Sequence, residues 1–341
     1  MAKAENLQMP QGEVKEMRLQ EALREALRYE MARDPRVFVI GEDVALFGGA
    51  YGVTRGLLQE FGDSRVRDTP ISEAGMVGLA IGAAINGMRP VVEIQFCDLL
   101  PLCMDQLTTH AARYYYQTGG RISVPLVVRN KFGTRPGGGP SHSSCNHGAF
   151  VHFPGLKIII PTTPADGKGL LLSAIRDPNP VVCFESHHLY GVKGPVPEGD
   201  YTVPIGVAAV RREGKDLTIV TCGGMVLKAD EAAVALQAKG VDVEIIDLRS
   251  LAPLDKETIL KSVAKTKRAM VVDEGSMVGG VTSEIAAVIQ ENLFSDLKGP
   301  VVRVGAQHIP PPHSPPLVEA ILPSVDGIVG AALRLVEGKR K

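Results

Sequence analysis

The stretch that decides the fold is "DTPISEAGMVGLAIGAAINGMRPVVEIQF", residues 68–96. Thirteen residues without a charge, 76–88, follow the acidic "SEAG" and lead directly into a β-branched run. An uncharged helix followed by an apolar strand is typical of a parallel sheet that helices cover on both faces. The same stretch raises a question of chemistry, because the carboxylate of Glu73 stands at the start of a helix with no evident polar face.

The same alternation of strand and helix extends along the first part of the chain. Short apolar runs predict strands in "VFVIGED", "VPLVVRN", "LKIIIP" and "PVVCF". Helices are predicted at residues 16–33, 53–61, 74–87, 101–117 and 164–176. Together these elements predict a domain built on a parallel sheet.

A change of composition then divides the chain. Residues 189–204, "LYGVKGPVPEGDYTVP", are rich in Gly and Pro and are interpreted as a linker. A second α/β unit follows, with strands at "DLTIVTCGG", "VDVEIIDLRS", "RAMVVDEG" and "PVVRVG", helices at 225–239, 255–265 and 280–293, and a last helix after a Pro-rich turn. We therefore predict an α/β protein of two domains, residues 1–200 and 201–341.

Composition limits the class of function. Hydrophobic residues make up 45% and charged residues 22% of the 341 residues, which is the balance of a soluble globular protein. The formal net charge of −1 gives no field that would recruit nucleic acid or an anionic membrane. The five cysteines form no C-x-x-C pair, and the N-terminal "MAKAENLQMPQGEVKEM" resembles no targeting segment. We therefore expect a reduced, cytoplasmic protein with neither nucleic acid nor membrane as a partner.

Two interpretations of Glu73 are open. Ser72 can cap the helix, and the helix dipole favours an acidic residue in the first turn, which requires no function. However, apolar residues occur on every side of the following helix, which predicts burial all round and carries Glu73 into a dry interior. A buried carboxylate must find a donor or hold a proton. Glu93 and Gln95 share one face of the next strand, and with Glu73 they predict a site for a flat, partly apolar ligand.

The Gly-rich segment 132–150, "FGTRPGGGPSHSSCNHGAF", lacks both G-K-[ST] and G-x-G-x-x-G, so it is neither a P-loop nor a dinucleotide fingerprint. Its length and its position between two strands favour a functional role for His142 over an ordinary loop histidine. His142, Cys145 and His147 have spacings that a zinc ion tolerates, but no fourth ligand stands at a recognisable distance. The other histidines, in "SHHLYG" and "HIPPPH", are predicted to lie at the surface or in turns.

The segment "LLLSAIRDPNPVV" ends a helix at Arg176 and leaves its last carbonyl groups without helical partners. Asp177 and Asn179 add oxygen atoms beside the negative end of the helix dipole. A plain helix stop explains this spacing better than a cation site does, and on spacing alone both interpretations stay open.

With these stretches collected, the chain resembles the β subunits of the thiamine-diphosphate-dependent decarboxylase component of 2-oxo acid dehydrogenase complexes, a group that includes the pyruvate, branched-chain and acetoin enzymes. The resemblance extends from about Arg18 to Glu337. Ordered matches carry it: "RDPRVFVIGEDV", "GAYGVTRGL", "RVRDTPISEAG", "MDQL", "GPSHSS", "AIRDPNPVV", "IIDLRSLAPLD" and "HSPPLVEAILPSV". It implies a pyrimidine-binding, transketolase-like domain followed by a domain like the C-terminal domain of transketolase.

The resemblance also implies roles for individual residues. Glu73 matches the glutamate that hydrogen-bonds the pyrimidine ring of thiamine diphosphate, and His142 matches a loop histidine near the reacting carbon, so both are expected to be catalytic. Ile71, Gln95 and Leu99 match positions that line the cofactor. A potassium site is implied by the match of Leu126, Ala174, Ile175, Asp177 and Asn179.

The chain departs from the family pattern at several positions. Leu99 stands where relatives carry an aromatic residue, Ser144 stands where many carry Gln, and "CNHGAF" is unusual. The G-D-G…N segment that holds magnesium on the diphosphate is missing, since "EGDY" lacks the second Gly. The resemblance therefore implies an α subunit that supplies this half, an α2β2 heterotetramer with the cofactor at the interface, and a lipoyl-bearing acyltransferase as a further partner.

The expected function is decarboxylation of a 2-oxo acid, with pyruvate as the first choice of substrate, and transfer of the acyl group to the lipoyl arm of the acyltransferase. The same chemistry on branched-chain 2-oxo acids or on acetoin is the alternative. A self-sufficient transketolase-like enzyme would need the diphosphate motif in this chain. A non-catalytic scaffold subunit would not need both Glu73 and His142.

Overall fold

The computed structural model describes residues 13–338, so most of the N-terminal segment, for which no targeting signal is expected, lies outside the described residues. The part of the chain up to Pro197 contains eight strands. They are β1 (Val14–Arg18), β2 (Val37–Gly41), β3 (Val66–Asp68), β4 (Arg89–Ile94), β5 (Val127–Phe132), β6 (Lys157–Ile159), β7 (Val181–Ser186) and β8 (Lys193–Pro197).

Helices of the same part cover both faces of its main sheet. They are α1 (Leu19–Arg33), α2 (Leu57–Phe61), α3 (Glu73–Ile85), α4 (Tyr114–Gln117), α5 (His147–Val151) and α6 (Pro164–Arg176). Strands β6-β7-β5-β4-β2-β3 pair in this order, all in parallel. On one face Val91 and Val127 pack with α1 and α6, and on the other face Val92 and Val128 pack with α3. The predicted parallel sheet with two covered faces is therefore confirmed.

The helices predicted at residues 53–61 and 101–117 differ in extent or type from those that the structure shows. The helix expected at 53–61 begins only at Leu57, because Gly52 and Gly56 adopt φ angles of 73° and 85°, which no right-handed helix contains. The helix expected at 101–117 is divided into a 3₁₀ turn (Leu100–Cys103), a π-helix (Asp105–Ala111) and α4. The wide turn closes where the N–H of Ala112 donates to the carbonyl of Leu107, 2.9 Å away.

The predicted linker is wrong for part of its length. Residues Lys193–Pro197 form β8, which pairs antiparallel with β1, with Met17 opposite Gly194. The first helix accordingly begins at Leu19 and not at residue 16, since Val14–Arg18 is extended. An extended Gly- and Pro-rich segment can form an edge strand where its missing N–H groups face outward.

Helix α3 is not buried all round, which corrects the prediction from its composition. Met76, Val77 and Ala80 pack into the core, whereas Leu79 is 60% exposed. Gly75, Gly78, Gly82 and Ile85 are exposed as well. The chain therefore presents an uncharged stripe of α3 outward, and this stripe is what made the helix look buried in the sequence.

The second part of the chain forms a sheet of its own. Its strands are β9 (Ala209–Arg212), β10 (Leu217–Thr221), β11 (Val243–Asp247), β12 (Ser250–Ala252), β13 (Ala269–Ser276) and β14 (Val302–Ala306). Its helices are α7 (Met225–Gln237), α8 (Lys256–Thr266), α9 (Val281–Leu293), α10 (Pro315–Ile321) and α11 (Val325–Val336). The strand order is β14-β13-β10-β11-β9, parallel except for β9 at the edge.

Strand β12 joins the two parts, because it pairs antiparallel with β6 and extends the first sheet to seven strands. Ser250 stands opposite Ile159 in this pairing. The N–H of Ile160 also donates to the carbonyl of Arg249, 2.8 Å away. The two parts therefore share hydrogen-bonded backbone, and the boundary expected between residues 200 and 201 stays a prediction.

The C-terminal segment Pro315–Val336 is long and apolar enough to cross a membrane by length and composition alone, with a mean hydropathy of 1.5. It is divided into α10 and α11. Ile328, Ala332 and Leu335 of α11 are buried in the core of the second part with residues of α7. We interpret α11 as a core helix of that part.

Candidate active site

The sequence-predicted catalytic and cofactor-lining residues share one edge of the first sheet. Glu73 opens α3 just after β3, and Gln95 follows β4. His142 lies in the loop after β5. Because these strands are parallel, their carboxyl ends meet at the same edge, which is where ligands bind in open α/β sheets.

Glu73 is buried at this edge and is 6% exposed. Ser72 does not cap the helix with its side chain. The part of the non-functional interpretation that assigned this cap to Ser72 is therefore wrong. Within residues 13–338, no hydrogen bond and no ion pair reaches the Glu73 carboxylate. Burial raises the pKa of the neighbouring Glu42, and the charge of Glu73 raises it further. The structure therefore presents a carboxylate that needs a donor from outside the described chain.

Exposed apolar side chains stand next to the start of α3. Ile71 is 81% exposed, and Leu46 and Phe47 are exposed in the loop after β2. The carboxylate of Asp68, at the end of β3, accepts a hydrogen bond from the N–H of Ala45 at 2.7 Å and so joins this loop to the segment that leads to Ile71. Ile71 thus stands on an open rim, which we call the apolar rim (Leu46, Phe47 and Ile71).

Glu93 is already paired within the chain. This corrects the prediction that Glu93 belongs to a ligand site with Gln95 and Glu73. Arg129 donates to Glu93 Oε2 at 2.8 Å and to both carboxylate oxygens of Glu185 at 2.7 and 2.8 Å. Tyr190 also donates to Glu185, at 2.8 Å. Burial raises the pKa of Glu93 even though the charge of Arg129 opposes this shift. These buried groups form a structural ionic network across β4, β5 and β7.

Gln95 lines a small cavity together with the residues of this network. Tyr51, Asn130 and Lys131 line it as well, and its volume is about 10 Å³. A cavity of this size holds about one water molecule. A cofactor therefore does not fit inside this cavity.

His142 is exposed and is contacted on three sides. Its Nδ1 lies 2.8 Å from the hydroxyl of Ser141, and its ring meets the ring of Phe96 edge to face with centroids 4.7 Å apart. Its backbone carbonyl accepts a hydrogen bond from Lys131 Nζ at 3.0 Å. An exposed imidazole held in this way is available to take or give a proton at the carboxyl edge.

The second part of the chain holds the loop that carries His142. The N–H of Thr134 donates to Glu274 Oε1 at 2.6 Å, and the N–H of Gly137 donates to the carbonyl of His313 at 3.0 Å. Beyond the loop, His147 Nε2 lies 2.9 Å from Asp273 Oδ2. Residues from β13 and from the segment before α10 therefore fix a loop of the first part.

The zinc alternative finds no support in this arrangement. His147 is buried against Asp273, whereas His142 points to the surface. Residues 13–338 contain no group of three or more His, Cys, Asp or Glu side chains placed to hold a metal ion. Burial alone would lower the pKa of His147, but Asp273 raises it above its usual value. We interpret His147 and Asp273 as a buried ion pair between the two parts.

The predicted potassium ligands lie together at the opposite edge of the sheet. Arg89 Nη1 donates to the carbonyl of Ile175 at 2.6 Å and to that of Asp177 at 3.3 Å. The Asp177 carboxylate pairs with Lys157 and accepts the N–H of Asn179. The Leu126 and Ala174 carbonyls accept backbone N–H groups. Arg89 thus occupies the carbonyl oxygens of Ile175 and Asp177 with its own hydrogen bonds, and the potassium site stays a prediction.

Comparisons with known proteins agree with this architecture. Residues 15–193 match the transketolase pyrimidine binding domain, and residues 206–328 match the transketolase C-terminal domain. The chain is 42% identical to the β subunit of acetoin:2,6-dichlorophenolindophenol oxidoreductase of Bacillus subtilis, over 93% of this chain and 96% of that one. The chain belongs to the β-subunit family of the 2-oxo acid and acetoin dehydrogenases.

Further relatives of this β subunit differ in the substrate that they are named for. The present chain is 43% identical to the β subunit of the pyruvate dehydrogenase E1 component of Rhizobium meliloti, over 95% of this chain and 71% of that one. It is 41% identical to the β subunit of 2-oxoisovalerate dehydrogenase of Bacillus subtilis, over 93% and 98% of the two chains. These relatives are subunits of enzymes, and the predicted family is confirmed.

A solved structure of a split-gene transketolase, an inactive β4 tetramer, has the same fold. The TM-score is 0.79 at 24% identity, and the match covers 95% of this β subunit and 100% of that chain. Together with the two family models, this fold confirms the predicted order of a pyrimidine-binding, transketolase-like domain and a transketolase C-terminal-like domain.

Some residues of this edge were missed in the sequence. Arg129 and Lys131 lie two apart in an apolar strand, and this spacing of charges on one face is a signal of a buried polar network. Phe96 follows directly after Gln95 and gave no signal of its own. Asp273 and Glu274 end a buried strand of the second part, and nothing local relates them to His142.

Replacing Arg129 with Met will strongly destabilise the chain, because two buried carboxylates lose their shared cation. We expect the free energy of unfolding to fall by about 3–5 kcal/mol. Arg28→Met is the control, since Arg28 pairs with Glu25 at the surface and should cost less than about 1 kcal/mol. Urea denaturation of both variants measures the difference, and equal losses would contradict the buried network.

Replacing His147 with Gln will change how stability depends on pH. The pKa of His147 is raised in the folded chain, so its pairing with Asp273 stabilises the fold fully below the unfolded value of about 6.5 and is lost as the pH rises through the raised value. We expect His147→Gln to cost about 1.5–3 kcal/mol at pH 6 and clearly less at pH 9.

Urea denaturation across this pH range measures the effect. His152→Gln is the control, because His152 is exposed and its replacement should leave the pH dependence unchanged. A constant difference between wild type and His147→Gln from pH 6 to pH 9 would argue against the ion pair.

Proposed function

We propose that this β subunit works in an α2β2 heterotetramer that decarboxylates a 2-oxo acid on thiamine diphosphate and passes the acyl group to a lipoyl arm. Pyruvate is the proposed substrate. The observation that carries the proposal is the buried carboxylate of Glu73, which has no donor in the described chain and stands beside the apolar rim.

The residues at the carboxyl edge fit thiamine diphosphate. An aminopyrimidine ring offers ring nitrogen and amino groups, which can share a proton with Glu73 and remove the cost of its burial. Ile71 and Leu99 offer apolar surface for the flat ring, with Gln95 beside them. When bound, the cofactor supplies a nucleophilic carbon and an electron sink for loss of carbon dioxide.

The chain's own residues divide the remaining tasks. Glu73 holds a proton at its carboxylate and orients the ring by a hydrogen bond. His142 holds or moves a proton at its imidazole while the acyl group is transferred, and Phe96 and Ser141 fix its ring. Leu99 and the apolar rim exclude water from this side of the site once a partner covers them.

The α subunit is proposed to cover the apolar rim and to hold the diphosphate with its magnesium ion. Leu46, Phe47 and Ile71 are large apolar side chains that are all more than 70% exposed, and exposed apolar surface marks candidate interaction sites. The uncharged stripe of α3, with Leu79 and Gly78, extends this surface and permits close packing of another chain. A lipoyl-bearing acyltransferase is the second proposed partner, docked on the C-terminal domain. The five free cysteines, four of them buried, support a cytoplasmic location.

Branched-chain 2-oxo acids and acetoin are the alternative substrates, because relatives named for each are similarly identical to this chain. Leu99 and Ser144 lie at the same edge of the sheet and are the positions of this chain at which pocket shape can differ. Steady-state rates with pyruvate, 2-oxoisovalerate and acetoin, measured on co-purified α and β chains with a dye acceptor, decide between them. The highest kcat/KM with pyruvate is expected.

Replacing Glu73 with Gln will lower dye-coupled decarboxylation by the reconstituted tetramer by roughly 100-fold or more, because the carboxylate can no longer take part in proton sharing. Glu284→Gln is the matched control. Glu284 also stands in the first turn of a helix but is exposed, so its loss removes only a helix-dipole effect. Unchanged decarboxylation by Glu73→Gln would reject the catalytic role and favour a scaffold subunit.

We propose that a potassium ion binds only when Arg89 leaves the carbonyl oxygens of Ile175 and Asp177. The proposed ligands are Leu126, Ala174, Ile175, Asp177 and Asn179. We expect the wild-type chain to melt at the same temperature in KCl and in NaCl of equal ionic strength, because Arg89 occupies the carbonyl oxygens of Ile175 and Asp177 with hydrogen bonds. Arg89→Met frees these oxygens, and only this variant should gain stability from potassium. A potassium-specific rise in wild type would show instead that the ion displaces Arg89 unaided.

A further inference from the structure

Lys131 is a buried cation without an anionic partner. It lies in β5 with 1% of its surface exposed, and within residues 13–338 it forms no ion pair. Its ammonium group donates to the backbone carbonyl of His142 at 3.0 Å. The same Nζ lies 4.7 Å from the ring centre of Phe96 and 5.6 Å from that of Tyr51. Its hydrogen bond therefore leads to His142, and one of its two aromatic contacts is the ring of Phe96, which also meets His142.

Such a position is unfavourable for the fold. Burial, with a further contribution from Arg135, lowers the pKa of Lys131 to about 8. A lysine whose pKa is lowered by folding reduces stability at neutral pH, because the folded state disfavours the proton that the unfolded chain holds. An apolar residue of similar length would avoid this cost, so the stability of the fold gives no reason for a lysine here.

We propose that Lys131 is a positioning residue for His142, which it holds directly through the backbone carbonyl and indirectly through the ring of Phe96. The inference rests on the proposed function, since it gives Lys131 a role only if His142 acts in acyl transfer. Phe96 carries the ammonium over its face and meets the His142 ring with its edge, at 81° between the ring planes. Both the main chain and the imidazole of His142 are thus fixed by one cation.

The charge on Lys131 makes this positioning depend on pH. The groups that face it are Arg135, Asp98, Cys97, Cys145, His187 and Tyr51. Of these, Arg135 disfavours the charged form, whereas Asp98 favours it. Burial keeps His187 neutral, since its pKa is lowered to about 4, and burial raises the pKa of both cysteines. As the pH rises through about 8, Lys131 itself loses its charge. Its interactions with the His142 carbonyl and with the Phe96 ring then weaken.

The chain contains a matched control in Lys168. This lysine of α6 is also 1% exposed and donates to one backbone carbonyl, that of Pro197, at 3.1 Å. Its Nζ also lies over two aromatic rings, Tyr29 at 5.8 Å and Tyr201 at 5.3 Å. Burial lowers its pKa as well. Lys168 reproduces the surroundings of Lys131 away from His142, so a purely structural role predicts equal effects of the two replacements.

The test uses the reconstituted α2β2 enzyme and reductive acylation of a lipoyl domain. We expect Lys131→Met to lower kcat by about 10- to 100-fold with KM changed less than about threefold, because His142 is misplaced while substrate binding is kept. Lys168→Met should leave kcat unchanged. Urea denaturation at pH 7 should find neither variant clearly less stable than wild type, since each loses a buried charge.

The pH profile separates positioning from packing. Wild type and Lys168→Met should lose kcat above an apparent pKa near 8, whereas Lys131→Met should lack this descending limb. In a double-mutant cycle, Lys131→Met should add no further loss to His142→Ala. A normal kcat and an unchanged limb in Lys131→Met, with His142→Ala impaired, would overturn the role of Lys131 alone. Full acylation activity of His142→Ala would overturn the proposed role of His142 itself.

Discussion

The parallel pairing of β4, β5 and β7 brings Glu93, Arg129 and Glu185 into contact, and this ionic network lies directly below the site. In the register, Glu93 stands opposite Arg129, and Glu185 stands opposite Lys131. Each strand ends within a few residues of its charged side chain. Because buried charges of this kind are costly to separate, they fix the strands from which the loops of Gln95, His142 and His187 depart. The positions of these groups thus depend on a network that takes no part in chemistry.

The alternation of apolar strands and helices was enough to predict a parallel sheet covered on both faces, and the uncharged helix after Glu73 was enough to predict that this carboxylate is buried. What the sequence could not supply was the pairing of charges across strands. Glu93 looks like an unpaired acid in its own strand, and only the register places Arg129 beside it. The uncharged surface of α3 caused the opposite error, because an exposed stripe of apolar and small residues has the same composition as a core face. Local pattern indicates burial, whereas partners depend on distant residues.

The loop of His142 illustrates this limit most clearly. Its glycines predicted a flexible functional loop, yet it is held by Glu274 at Thr134 and by His313 at Gly137. His147, which follows the loop, is paired with Asp273. Residues more than a hundred positions away along the chain therefore decide where the imidazole stands. Strand β12, which the second part donates to the first sheet, joins the two parts a second time through its pairing with β6.

Glu73 and Lys131 are both buried charges without an ion-pair partner, but they differ in where their polar atoms lead. Lys131 is satisfied inside the chain, by a carbonyl group and two aromatic faces, so its task is internal. Glu73 has nothing to bond within residues 13–338 and stands beside the exposed side chains of Leu46, Phe47 and Ile71. A carboxylate in that position is stable only when something outside the chain provides a donor and the rim is covered. This unpaired acid is the reason we propose that a second chain completes the site on the side of Glu73.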